Sequence, residues 1–309
     1  MARQPQAGIP RAAILAVDQS LSPLFHWVAQ ASRPVVAAAL VWCTASLHAD
    51  QLPMEPAHNT GQSITGAFEG WFQNPDGSFS LLLGYYNRNL KQDLDIPIGP
   101  NNRIEPGGPD RGQPTHFLPN RQWGVFTITV PKDFGTQTLN WTIVANGSPT
   151  VIPMSLNPLW ELSPMVDATG NTPPSIGFDE KGPFQQGPRA LVTKRSASVS
   201  DPLPLAVWVA DDAKLPPGAP AVKAPPVTVS WSMQRGPGAV TFSKERPAVE
   251  KTDFRAPENS VFSGKATTTA TFSEPGEYWL RVVANDWSGD GGRGFQCCWT
   301  NALIQVSVR

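Results

Sequence analysis

Cysteine, histidine, tyrosine and charge are all in short supply in this chain of 309 residues. It has three cysteines, four histidines and three tyrosines, and charged residues make up only 16% against a usual share of about a quarter. So little histidine and cysteine leaves a zinc or other soft-metal centre poorly supplied with ligands. A Ser-His-Asp arrangement beyond residue 49 would draw on His58 or His116, and neither lies in a nucleophile-elbow context. A carboxylate pair for glycoside hydrolysis has no positive support. Lys+Arg 24 against Asp+Glu 25 gives a net charge of −1. With no basic face, RNP-like aromatic motif or zinc spacing, nucleic acid is set aside as a partner.

Proline and glycine are plentiful, with 33 and 26 residues. That composition suits many short strands and turns better than helices, so an all-β chain of two β-sandwich domains in tandem is expected. The first 49 residues have the make-up of a long export signal. Arg3, Arg11 and Arg33 outnumber the single Asp18, and residues 35–47 form a thirteen-residue apolar run ending near the small residues Ser46 and Ala49. The run falls short of the roughly 20 residues of a membrane span, and a retained anchor is the rival reading. Trp42 stands before Cys43 where a lipobox needs a small residue. Removing 1–49 takes away three arginines and one aspartate, which leaves 21 basic and 24 acidic residues, net −3. The mature chain is expected in the periplasm or secreted, with no stable membrane span.

Beyond the leader, 50–165 reads as a first β-sandwich domain. Residues 67–72 and 78–86 flank Gln73-Asn74-Pro75-Asp76-Gly77, a turn that closes a hairpin. Residues 93–119 are rich in Pro, Gly and Asn and read as a long ordered loop with one short strand at 94–98. Phe126, Ile128 and Val130 alternate with Val125, Thr127 and Thr129, and Leu139, Trp141 and Ile143 with Asn140, Thr142 and Val144. A further strand is expected at 150–156. Residues 166–187 have no sustained pattern and read as a stiff interdomain linker.

The second domain, 188–309, is the better patterned. In 278–286, Tyr278, Leu280, Val282 and Ala284 fall on one face and Trp279, Arg281, Val283 and Asn285 on the other. Ala302, Ile304, Val306 and Val308 alternate in the same way, and about seven strands can be counted. The stretches WSMQRGPGAVTFS, ATFSEPGEYWLRVVANDWSG and the final alternating strand are similar to the PKD-like type of immunoglobulin-like domain of bacterial exported proteins. The resemblance covers roughly 189–309, and the first domain matches no named family. It implies a tyrosine corner at Tyr278, with Leu280 and Val207 where antibody domains carry their disulfide.

Four groups are candidate sites. Asp211, Asp212, Asp286 and Asp290 fall in loops at one end of the assigned sandwich, where four carboxylates with loop carbonyls can bind calcium; turn formation is the plainer reading. Cys297 and Cys298 are left to form a vicinal disulfide, to ligate a soft metal or to bond another chain. Trp71 and Tyr85 beside the first hairpin are candidates for a sugar platform, though adjacent aromatics on a strand face opposite ways. Trp287, Arg293 and Trp299 are candidates for a ligand-binding edge in the loop 286–299. These features favour a non-enzymatic exported binding, adhesion or scaffold protein with a protein or glycan partner, and no cofactor beyond calcium. The alternative is a carbohydrate-binding module or accessory subunit of an extracellular enzyme.

Overall fold

The Asn-Pro-Asp-Gly turn joins β1 (Ile64–Gln73) to β2 (Phe79–Asn87), with Gln73 opposite Phe79. The Asp76 carboxylate accepts from the backbone N–H and the hydroxyl of Ser78 at 3.0 and 2.6 Å. Gly77 takes a φ of 84°, which a side chain would resist. The structure, a computed structural model, describes residues 58–215, 218, 225–254, 257, 259–286 and 297–309. Among the described residues there are eighteen strands, one 3-10 turn at Pro158–Trp160 and no α-helix. The leader, 1–49, lies outside them.

In the first sandwich β1 and β2 pair with β6 (Asn120–Val130) in the order β1-β2-β6. The other three-stranded sheet runs β4 (Asn102–Glu105), β7 (Leu139–Ala145), β8 (Ser148–Met154). A small pair, β3 (Leu94–Asp95) and β5 (His116–Phe117), lies within the long loop. The core is aromatic, with Phe126 edge-on to Trp141 at 5.2 Å and Tyr85 edge-on to Phe117 at 4.9 Å. The loop is fastened by a buried amide. Asn102 Nδ2 donates to the carbonyls of Ile96 and Pro114 at 2.9 and 2.8 Å, and Asn102 Oδ1 accepts from Trp141 Nε1 at 3.0 Å. These bonds order a segment that has few apolar residues of its own.

The second sandwich has one sheet in the order β10 (Phe184–Gln185), β9 (Ser175–Gly177), β12 (Leu203–Asp211), β16 (Phe262–Phe272), β14 (Val240–Phe242), with β15 (Glu250–Lys251) also on β16. Its other sheet runs β11 (Leu191–Ala197), β18 (Trp299–Val308), β17 (Gly276–Asn285), β13 (Thr228–Arg235). Strand β11 lies parallel to β18. Val207, Val209, Leu280, Val282, Ile304 and Val306 fill the space between the sheets. The Tyr278 hydroxyl donates to the Glu274 carbonyl at 2.9 Å, the corner that the resemblance implies.

Residues 166–187, expected as a linker, supply β9 and β10 to the second sandwich. Ile176 is fully buried in its core, and β9 pairs with β12. The Thr300 hydroxyl donates to the Pro174 carbonyl and accepts from the Gly187 N–H at 2.9 Å, so both flanks of the β9–β10 pair are tied to β18. Strands of two or three residues carry barely one period, so a proline-rich stretch hides them. With β9, β10 and β15 added to the seven expected strands, the second sandwich has ten.

Candidate functional site

A half-buried strand shows alternating burial, and β17 stops alternating at Leu280: every residue from there to Asp286 is buried. The cover on its outer face comes from the first sandwich. Val283 and Trp299 pack with Phe72, Leu82 and Leu162. Arg281 is 8% exposed. Its Nε donates to Asn301 Oδ1 at 3.0 Å and its Nη2 donates to the carbonyls of Trp123 and Gly124, each at 3.3 Å. Asn301 Nδ2 donates to the same Gly124 carbonyl at 2.7 Å. Gly124 has a φ of 49°, and a Cβ there would run into the Trp299 ring, so the close approach requires glycine.

Behind this junction Glu69 accepts from the Gly124 N–H and from Arg121 Nη2, both at 2.9 Å. Burial raises the pKa of the Glu69 carboxyl, and Arg121 opposes the shift. A second tie joins the long loop to β13. Arg235 makes a two-pronged ion pair with Asp110 at 3.0 and 2.8 Å, and the Thr115 N–H donates to the Gln234 carbonyl at 3.0 Å. The hydrogen bonds to Arg235 hold the Asp110 carboxyl below its ordinary pKa. Between the two ties lies a cleft of about 150 Å³, lined by Arg121, Arg246, Arg281 and Trp299 among others.

The acidic candidates lie elsewhere, at the end of the second sandwich. Asp211 and Asp286 are buried, at 3% and 5% exposure. Asp286 Oδ2 accepts from Asn171 Nδ2 at 2.5 Å, whereas Asp212 Oδ2 accepts from the Thr172 hydroxyl at 2.9 Å. Asp211 Oδ1 accepts from the Ala213 N–H at 2.8 Å. Burial pushes the Asp211 pKa up to about 7; the Ala213 N–H opposes the shift and the charges of Asp286 and Asp212 add to it. Among the described residues no group of three or more His, Cys, Asp or Glu side chains is placed to hold a metal ion. Asp290 lies outside the described residues, as do Trp287 and Arg293. What the described part offers is a buried acid pair, Asp286 held by Asn171 and Asp211 by the Ala213 N–H.

Cys297 and Cys298 lie beside that pair as a vicinal disulfide, both buried and against the Asn171 carbonyl. The sugar platform is corrected by the packing. Trp71 and Tyr85 are 8% and 2% exposed and belong to the first core. Trp71 Nε1 donates to the Asn157 carbonyl at 2.8 Å, and the Tyr85 hydroxyl accepts from the Leu118 N–H at 2.8 Å. Their neighbours on the opposite face divide: Phe72 is buried by the second sandwich, and Tyr86 is exposed. Sequence reasoning missed Arg121, Arg281 and Asn301. Arg281 interrupts a strongly apolar strand, and that was the only signal of a covered outer face.

No family model matches the chain, and no curated protein matches it. Solved structures similar to it include the D00-D0 domain of intimin, at 14% identity over 79% of this chain and 99% of that one, with a TM-score of 0.23. The Yersinia pseudotuberculosis adhesin InvE is similar at 12% identity over 80% of this chain and 59% of that one, TM-score 0.22. Titin A168169 is similar at 10% identity over 79% and 98%, TM-score 0.23. These are immunoglobulin-like neighbours, and at such scores they say nothing about binding or activity.

Proposed function

We propose that the mature chain is a non-enzymatic binding, adhesion or scaffold protein, exported from the cytoplasm and working as one stiff body of two β-sandwiches on a protein or glycan partner. The observation that carries this reading is the junction itself, where the Arg281 guanidinium is buried among the Trp123 and Gly124 carbonyls. Opening that junction would strip a buried charge of its hydrogen bonds, which costs several kcal/mol in proteins. A hinge between the sandwiches is therefore disfavoured. Fixed spacing between two modules is what a scaffold or adhesive stalk requires, whereas domain closure around a substrate requires the opposite.

Amide relaxation on the whole chain tests the reading. Both sandwiches should report one rotational correlation time, and two distinct times would overturn the stiff-body reading. Turnover of a hydrolase substrate, abolished by one point substitution, would overturn the non-enzymatic part.

A further inference from the structure

We infer that the cleft between the two sandwiches is a binding site for a single oxyanion group: a carboxylate, a sulfate or a phosphate. Three guanidinium groups, those of Arg121, Arg246 and Arg281, line it against one carboxylate, Glu245. Counting Glu69, which pairs with Arg121 behind the wall, guanidiniums outnumber carboxylates three to two among the described residues of the site, in a chain whose net charge is −1. Two of the three guanidiniums are held in place. Arg121 stacks on the Trp123 ring at 3.8 Å, and Arg281 is fixed by Asn301 and the Gly124 carbonyl. Fixed donors cost little to order when a ligand arrives.

An independent observation points to a missing acceptor. Trp299 lines the same cleft, is 2% exposed, and its indole Nε1 has no hydrogen-bond acceptor among the described residues. Buried indole N–H groups ordinarily find one. On the same outer face, Ser230 and Ser232 stand opposite Val283 and Arg281 in the β13–β17 register, and both line the cleft. Their hydroxyls can donate as well. A ring of donors with an unanswered N–H suits a ligand made of acceptors and repels a cation. The cleft volume of about 150 Å³ is that of a cavity that admits a benzene-sized molecule, room for one oxyanion group. Arg246 is exposed, so the acid group of a larger ligand can be met from the solvent side. The inference stands whether or not the whole body serves as a scaffold.

The test is a titration of the whole chain, followed through the indole ¹H–¹⁵N resonances, with sodium sulfate, phosphate, acetate and glucuronate, each against sodium chloride at matched ionic strength. Trp299→Phe identifies the Trp299 resonance among the eleven tryptophans. A saturable shift of that resonance with an oxyanion and not with chloride is expected, weakened about tenfold or more in Arg246→Gln, a loss of one charged hydrogen bond. Arg246 is exposed, so this variant should fold as the wild type does. Tighter binding of glucuronate than of acetate would assign the site to an acid borne on a sugar, and equal or tighter binding of the inorganic ions to a free anion. A shift linear in salt and equal for chloride would overturn the proposal. So would a saturable shift that Arg246→Gln leaves unchanged, since the anion would then sit elsewhere.

Discussion

The two faces of β17 and β18 make a direct comparison. On the inner face Leu280, Val282, Ala284, Ala302, Ile304 and Val306 are all apolar and all buried between the sheets. The outer face is buried just as thoroughly around Arg281, Val283, Trp299 and Asn301, yet it mixes a guanidinium, an amide, an aliphatic and an indole. The inner face meets its own partner sheet and needs only volume and greasiness. The outer face meets another sandwich edge-on, where backbone carbonyls at Trp123 and Gly124 must be answered by donors. Burial alone therefore does not distinguish a domain core from a domain junction; chemistry does.

The sharpest way to break this comparison is Trp299→Ala. If the outer face is covered in solution, the substitution should destabilise by about 3–5 kcal/mol, on a par with or above the roughly 2–5 kcal/mol for Leu280→Ala on the inner face. Urea unfolding of the two variants checks it. A cost below about 1 kcal/mol for Trp299→Ala, the range of ordinary surface changes, would mean that the face is open.

Next in size is a pH effect at the acid pair. The folded-state pKa of Asp211 is raised from 3.8 to about 7. Its contribution to stability is then fully present below pH 3.8 and is lost as pH rises towards 7, on a scale of about 4 kcal/mol. Asp211→Asn keeps the shape without the charge, so it should flatten that slope and exceed the wild type in stability at about pH 8. Urea midpoints from about pH 4 to pH 8 for both proteins decide the matter. Calcium is the counter-test, because a bound ion would favour the ionised acids and raise the melting temperature in proportion to occupancy. A calcium-dependent rise in the wild type that Asp211→Asn abolishes would replace the acid-pair account with a metal site.

Gly124→Ala sharpens the junction from its other side. With a positive φ and the Trp299 ring in the way of a Cβ, it should cost about 1–3 kcal/mol. A neutral result would show that the sandwiches can separate locally without penalty. The smallest expected effect lies in the hairpin: Tyr85→Phe should lose about 1 kcal/mol with the bond from the Leu118 N–H. Tyr86→Ala, at an exposed position, should stay within about 0.5 kcal/mol. A reversal of that order would return Tyr85 to the surface.

Much of this was legible beforehand where the chain repeats a period several times. Strands β1, β2, β6, β7, β12, β13, β16, β17 and β18 each run for seven residues or more, long enough for alternation to mark them. The Asn-Pro-Asp-Gly turn and the corner at Tyr278 carry their own local chemistry. Topology also brought Asp211 and Asp286 to one end, as their loops implied. Strands β5, β9, β10 and β15, of two or three residues each, left no periodic trace, and that is why 166–187 reads as a linker. Trp71 and Tyr85 read as platform candidates because a sequence says that neighbours point opposite ways without saying which way is in.

By itself, then, the sequence determined the all-β class, the long strands and the inward set of the second sandwich, because each follows from a backbone period of two and from local turn chemistry. Only the tertiary structure decided that both faces of β17 are buried from Leu280 onward, that Arg281 and Asn301 grip the Gly124 carbonyl, and that the cleft beside them gathers three arginines. Those contacts join residues more than 150 positions apart in sequence, and a local pattern carries no information about a partner that distant.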